Sequence, residues 1–210
     1  MKLIVISSPN KSNSELKHII NFFENGLEIF HIKKKGFTNA KMIEFINSIP
    51  RKYHERLVLH SHYHLAVKFS VRGIHKGSKR KFKFFSVIKF YYARFFGRSL
   101  RVSKSFNSIQ SLTSDKGKYD YVLLSPIFDR HDMQEFSAAY SEKQLRNVLF
   151  KCQHNVIAFG GVKESRVNLA RRTGFDGVAV HSDIWREKQN RLAKFIGLIN
   201  AVKEAEKNIN

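Results

Sequence analysis

Val156-Ile157-Ala158-Phe159-Gly160-Gly161-Val162 is a short apolar run that breaks at two glycines just before a stretch of helical period, Glu164 to Arg172. A second apolar run follows, Gly177-Val178-Ala179-Val180. Strands that are apolar on both faces must be covered on both sides, so strand, helix and strand together describe a parallel pair joined by a crossover helix. The same unit recurs along the chain. Upstream, Tyr119 to Ser125 is another strand of the fully buried type. Ser141-Glu142-Lys143-Gln144 opens the next helix, with Ser141 at the N-cap and Gln144 in the position that completes a capping box. Leu100 to Ser103 reads as a strand and Ser105 to Leu112 as a helix.

The N-terminal third repeats the alternation more weakly. Leu3 to Ile6, Leu27 to Ile32, Leu57 to Leu59 and Gly73-Ile74-His75 read as strands. Helices are expected from Ser14 to Phe23, from Thr38 (whose hydroxyl caps it) to Ile49, and around His64 to Phe69, with Pro50 forbidding continuation of the second. An amphipathic helix from Gln189 to Glu206 closes the chain. The sum is about eight βα units, the number that closes into a TIM (β/α)8 barrel. No Pro/Gly/Ser-rich linker divides the sequence, so one barrel domain over residues 1–210 is expected. An open doubly wound sheet is the competing architecture, but no glycine-rich nucleotide loop follows the first strand.

Charge is the second strong feature. Lys+Arg outnumber Asp+Glu 38 to 17, a net +21 with His neutral. No acidic residue stands between Glu55 and Asp115, while Lys68, Lys76, Lys79, Arg80, Lys81 and Lys83 all do. Such a run attracts phosphates, nucleic acid or anionic lipid without naming one of them, and on charge alone nucleic acid is not the expected partner. Phe82 to Phe96 interleaves aromatics with cations at helical spacing. That pattern suits a helix on a barrel flank, and equally a stacking platform for bases or a membrane-surface helix. The single cysteine, Cys152, can form no internal disulfide and no metal cluster. With neither a signal-like N-terminus nor an apolar run long enough to span a bilayer, the chain is expected to be soluble and cytoplasmic. A homo-oligomer remains open.

Barrels of this kind commonly bind phosphate at the ends of strands seven and eight through backbone N–H groups. Gly160 and Gly161 lie at the first of these ends, and either cradle an anion or make an ordinary tight turn. His181-Ser182-Asp183 lies at the second, where Ser182 offers a hydroxyl and a backbone donor. Near the third strand, His60, His62 and His64 alternate, so on a continuing strand all three would share one face. Three imidazoles would be a zinc-type donor set. The competing reading has His60 lining the pocket while His62 and His64 open a helix, and no metal ligands are assigned. His31 and His60 could instead both face the barrel mouth beside Lys35, to bind phosphate or shuttle a proton.

Three blocks, Tyr119 to Phe128, Val156 to Val162 and Gly174 to Ser182, resemble the thiamine-phosphate synthase/TenI family, as do Gly26 to Lys35 and Gly73-Ile74-His75-Lys76-Gly77. The resemblance implies a barrel that condenses hydroxymethylpyrimidine diphosphate with thiazole phosphate and releases diphosphate with Mg²⁺ help. It implies that Lys35 contacts the diphosphate, that Lys33 stands in for an arginine there, and that Ser103 lies near the leaving group. Gly160, Gly161 and Ser182 would cradle the thiazole phosphate. Catalytic roles thus fall on Lys35, Ser103, His31 and His60, and phosphate binding on Lys33, Gly160, Gly161 and Ser182. Small phosphorylated pyrimidine and thiazole compounds are the implied partners.

The sequence departs from that pattern at the metal. Ser61 occupies the place of the first Mg²⁺ aspartate, and the second would fall near Lys79 or Arg80. His31 stands where the family has its pyrimidine-reading glutamine, and His60 where it has an asparagine after the third strand. Asp129-Arg130-His131-Asp132-Met133 replaces a lysine-bearing loop, and Pro126 occupies the place of the catalytic histidine of the TenI-type tautomerases. No cofactor is therefore assigned, since the expected Mg²⁺ lacks its aspartates. The alternatives to a synthase are a TenI-like tautomerase, a non-catalytic binder of phosphorylated ligands, and a basic protein of nucleic acid or membrane surfaces.

Overall fold

Eight parallel strands close on themselves in sequence order in the computed structural model of the chain, with β8 returning to pair with β1. The structure describes residues 1–8, 14–78, 100–128, 136 and 140–207. The strands are β1 (Lys2–Ile6), β2 (Ile29–Ile32), β3 (Leu57–Leu59), β4 (Gly73–Lys76), β5 (Arg101–Phe106), β6 (Tyr121–Leu124), β7 (Val156–Phe159) and β8 (Gly177–Val180). This is the TIM barrel expected from the alternating runs. The aromatic and basic segment Phe82 to Phe96, together with Lys79, Arg80 and Asp129 to Met133, lies outside the described residues.

Side chains alternate across each strand, and the alternation divides the apolar residues between two cores. Ile4, Ile6, Ile29, Val58, Leu123, Ile157 and Ala179 fill the barrel interior. Leu3, Val5, Phe30, Ile32, Leu57, Leu59, Ile74 and Val102 point outward into the layer beneath the helices. The closing helix, Arg191–Lys207, buries Phe195, Leu198, Ala201, Val202 and Ala205, and Phe195 stacks at 4.7 Å on Phe22 of the first helix, Ser14–Glu24.

Local signals act where the sequence places them. Thr38 Oγ1 accepts from Lys41 N at 3.3 Å and Ser141 Oγ from Gln144 N at 3.2 Å, each satisfying an orphan donor of a helix start. The Thr38-capped helix, Asn39–Asn47, stops before Pro50, and a 3₁₀ turn follows over Arg51–Arg56. At the N-terminal face of the barrel, Asp120 Oδ2 accepts from Val102 N at 2.6 Å and Asp176 Oδ2 from Val156 N at 2.7 Å. These carboxylates lock the starts of neighbouring strands, away from the face where such barrels do chemistry.

The end of β5, the start of the helix after it and the start of the last helix differ from the sequence reading. β5 runs on to Phe106, because Lys104, Ser105 and Phe106 pair with Val122, Leu123 and Leu124 of β6. The helix after it starts only at Ile109, capped by Ser108. Strand β3 ends at Leu59, as the sequence reading has it, so His60, His62 and His64 do not continue an extended chain. His62 has a φ of 54°, which turns the backbone, and His64 leaves to meet Asn39 Oδ1 at 2.8 Å. Of the two readings the sequence offered, the shared face is excluded, and the one with His60 at the pocket and His62 and His64 leading into a helix fits. Ser182–Trp185 forms a helical turn of its own, tied down by Trp185 Nε1 donating to Ile6 O at 2.6 Å, and the last helix begins after it at Arg191.

Candidate active site at the barrel mouth

Inward-facing positions decide what lies at the C-terminal end of the barrel. On β2 the inward residue after Ile29 is His31, and just past β3 the inward residue after Val58 is His60. His75 ends the inward row of β4, while Ser103 and Ser105 do so on β5 and Tyr121 lies inside β6. Registers His75↔Ser103 and Ser103↔Tyr121 set these groups side by side. The layer above the aliphatic interior is therefore polar along β2 to β6.

Its members satisfy one another. His31 Nδ1 lies 2.9 Å from His60 Nε2, and His31 Nε2 lies 2.6 Å from Tyr121 Oη. His75 is held at both ring nitrogens, Nδ1 by Ser103 Oγ at 2.9 Å and Nε2 by Ser105 Oγ at 2.7 Å. The rings of His60 and His75 stack with centroids 4.2 Å apart. Burial drives the electrostatics. It lowers the pKa of His31 well below the usual imidazole value, with His75 and Arg72 adding to the effect. It lowers that of His75 to about 3, with Lys33 contributing. Both imidazoles are therefore neutral near pH 7, and the Tyr121 phenol, pushed up by the same burial, keeps its proton.

Above this layer opens a cleft of about 350 Å³ lined by Lys33, Lys34, Lys35, His60, Ser61, Gly77 and Ser78. The three lysines are not equivalent. Lys34 is buried, pairs with the buried Glu15 and donates to Ser8 O at 3.0 Å, so it belongs to the scaffold. Lys33 and Lys35, either side of it, are exposed and line the cleft. His60 is half-buried at the floor, where the cleft meets the histidine layer. Ser103 is 1% exposed and sits behind His75, bonded to its ring.

Across the mouth, Gly160 and Gly161 adopt φ of 90° and 66°. A Cβ on Gly161 would lie 2.5 Å from Phe128 O, and one on Gly160 3.0 Å from Pro126 Cα. Both glycines therefore allow the β7 turn to press against the loop after β6, whatever else they bind. Arg166 Nη1 donates to Gly161 O at 2.9 Å, and its guanidinium stacks on Phe128. Ser182 is exposed at the start of its helical turn. A second cleft, of about 380 Å³, lies close by between Lys163, Glu164, Ser165, Asp183 and Lys194. Thus Lys33, Lys35 and His60 meet on one side of the mouth, with His31 buried beneath His60, and Gly160, Gly161 and Ser182 lie on the other. His75, Ser105 and Tyr121 were not singled out as site residues from sequence. Their signal was the period-two register, which puts them on the row that carries His31.

The sequence profile of thiamine monophosphate synthase matches residues 3–184. The chain belongs to the thiamine monophosphate synthase family. The crystal structure of a thiamine phosphate pyrophosphorylase from Bacteroides thetaiotaomicron superposes with a TM-score of 0.79 at 29% identity, covering 100% of both chains. A thiamine-phosphate synthase of Clostridium tetani is 23% identical over 165 residues, 76% of this chain and 75% of that one. The thiamine phosphate pyrophosphorylase of Pyrococcus furiosus shares the fold, with a TM-score of 0.75 at 19% identity over 97% of this chain and 96% of its own. Thiamine monophosphate synthase membership rests on the match across the barrel, including the strands that carry both sides of the mouth. Among the described residues, no helix is long and apolar enough to cross a membrane.

Proposed function

We propose that the barrel is a thiamine-phosphate synthase-type transferase, joining a hydroxymethylpyrimidine diphosphate to a thiazole phosphate. The observation that carries this reading is the cleft at the ends of β2 to β4, walled by Lys33 and Lys35 with no carboxylate among its described lining residues. In this reading the diphosphate lies between Lys33 and Lys35. As its bond to the pyrimidine methylene carbon breaks, it leaves with the electron pair, and the ammonium groups neutralise the growing charge. The thiazole nitrogen forms the new C–N bond to that carbon. His60, which lines the cleft, faces the pyrimidine as a hydrogen-bonding group, and the buried, neutral His31 holds its ring from below. Gly160, Gly161 and Ser182 hold the thiazole phosphate through backbone and hydroxyl donors.

The Mg²⁺ that the family resemblance implies does not match these residues. Mg²⁺ takes hard oxygen ligands, usually with one or two carboxylates, in octahedral geometry. Ser61 stands at the β3 end, and the sequence has no carboxylate from Arg56 to Ser114. No step is assigned to it.

Incubating the protein with both phosphorylated precursors, with and without Mg²⁺, and separating the products tests the reading. Condensation product is expected, and Lys33→Ala or Lys35→Ala should weaken the diphosphate substrate by about 10–100-fold, the size of a lost charge-assisted hydrogen bond. A second reading, a binder of thiazole phosphate without transfer, is favoured by the lack of carboxylates at the metal position. It predicts no product, but a rise in melting temperature with thiazole phosphate that Ser182→Asp abolishes. Neither product nor thermal shift would remove both.

A further inference from the structure

His31, His60 and His75 come from three consecutive strand ends, and hydrogen bonding to a pyrimidine does not account for all three meeting. Their ring nitrogens lie within 4.8 Å of one another, with two of them only 2.9 Å apart. A barrel interior is ordinarily filled by branched aliphatic side chains, and burying imidazoles there costs desolvation. We infer that His31, His60 and His75 form a site for a borderline divalent transition metal ion of the Zn²⁺ type, with its open coordination position facing the lysine-walled cleft.

The donor set fits that class of ion. Imidazole suits Zn²⁺ and its congeners, whereas Mg²⁺ prefers oxygen. With Zn–N distances near 2.0–2.1 Å, two ligating nitrogens on a tetrahedral ion stand about 3.3 Å apart. His31 Nδ1 and His60 Nε2 reach that separation from 2.9 Å by a few tenths of an ångström. Both nitrogens then present lone pairs, and each ring carries its proton on the opposite nitrogen. For His31 that nitrogen is Nε2, which faces Tyr121 Oη at 2.6 Å. His75 exchanges one of its two serine contacts for the ion and keeps the other. Both buried rings thus retain an outer partner, the arrangement that fixes tautomer and orientation in metal sites.

His60 is the ring that reaches the cleft, so the fourth position opens towards the cleft that Lys33 and Lys35 also line. Those ammonium groups oppose a dication until an anion lies between them. A diphosphate oxygen on the ion would remove that opposition, so metal and diphosphate should each strengthen the other's binding.

The test uses the full chain and metal alone, independent of any transferase activity. Titration with Co²⁺ should give the intense visible bands of a four-coordinate ion, displaced by Zn²⁺ at one equivalent. Calorimetry with Zn²⁺ should show 1:1 binding, weakened roughly tenfold by Tyr121→Phe and by more in His60→Ala. His60 is half-buried, so its variant is expected to fold, which a melting curve verifies. His62→Ala should change nothing, and added inorganic diphosphate should tighten binding. Weak octahedral Co²⁺ bands, or Zn²⁺ binding unchanged in folded His60→Ala, would overturn the site.

Discussion

At the end of β7 the chain turns on Gly160 and Gly161, both at positive φ and both pressed against the loop after β6. At the ends of β2 to β5 the chain uses ordinary side chains instead, with His31, His75, Ser103 and the Glu15–Lys34 pair filling the space. The two sides of one mouth are therefore specified differently. On the glycine side, backbone approach dictates residue identity, and any Cβ is excluded. On the histidine side, hydrogen bonds and charge do so. That difference matters for chemistry: a side built from packed backbone changes slowly in shape, while one built from polar side chains can exchange one donor set for another and leave the barrel intact.

The strongest test of the side-chain half is its buried ion pair. Burial raises the Glu15 carboxyl while Lys34 and the Ser8 N–H, at 2.6 Å, oppose that rise. Glu15→Ala strands the Lys34 ammonium, and removing one member of a buried pair costs about 3–5 kcal/mol. Urea unfolding should show that loss, and adding Lys34→Met should restore most of it. A loss below about 1 kcal/mol would mean that the pair is solvated and this half is not held by charge.

The backbone half is tested by matched glycine substitutions. Gly161→Ala meets Phe128 O and must hold a side chain at positive φ, so about 2–4 kcal/mol is expected to be lost. Gly77, at the end of β4, has no positive φ, and a Cβ added there would meet nothing within 4 Å. Gly77→Ala should therefore stay within about 0.5 kcal/mol. Equal costs in the two variants would erase the distinction between the sides.

The same distinction explains what could be read from the sequence. Val156 to Gly161 and Gly177 to Val180 were legible because apolar runs and glycines act locally, through the residues themselves. Thr38, Ser141 and Pro50 were legible for the same reason. His75, Tyr121 and Ser105 were not, because their meeting depends on how β4, β5 and β6 are staggered across the sheet. The alternation of His60, His62 and His64 could not by itself decide between a shared face and a turn into a helix; the strand end at Leu59, read correctly from the sequence, decides for the turn. A φ of 54° at His62, favoured by no nearby glycine, is invisible to a periodicity argument.

The smallest expected effect is also the most specific to the histidine side. Burial, and then Lys33, hold His75 at about 3, against 6.5 for an ordinary imidazole. The unfolded chain therefore takes up a proton near pH 6.5 that the folded chain refuses. Stability owed to the neutral ring is complete above that pH and is lost as pH falls from about 6.5 towards 3. Between pH 7 and 6, His75 alone should account for roughly half a kcal/mol. Burial lowers His18, His31 and His181 as well, so their contributions have the same sign. The informative quantity is thus the difference between the wild-type protein and His75→Gln, measured by urea unfolding in EDTA. Glutamine cannot titrate, and its amide can still meet Ser103 and Ser105, so the variant should show a shallower fall. Parallel pH profiles would mean that the His75 ring is protonated in the folded barrel. Its two serine contacts would then be donations from an imidazolium, and the histidine layer would carry positive charge next to Lys33 and His31. In that case the polar side of the mouth would be an anion site through its floor as well as its walls. A shallower profile instead keeps His75 neutral and leaves anion attraction, among the described residues of that side, to cleft-lining cations such as Lys33 and Lys35.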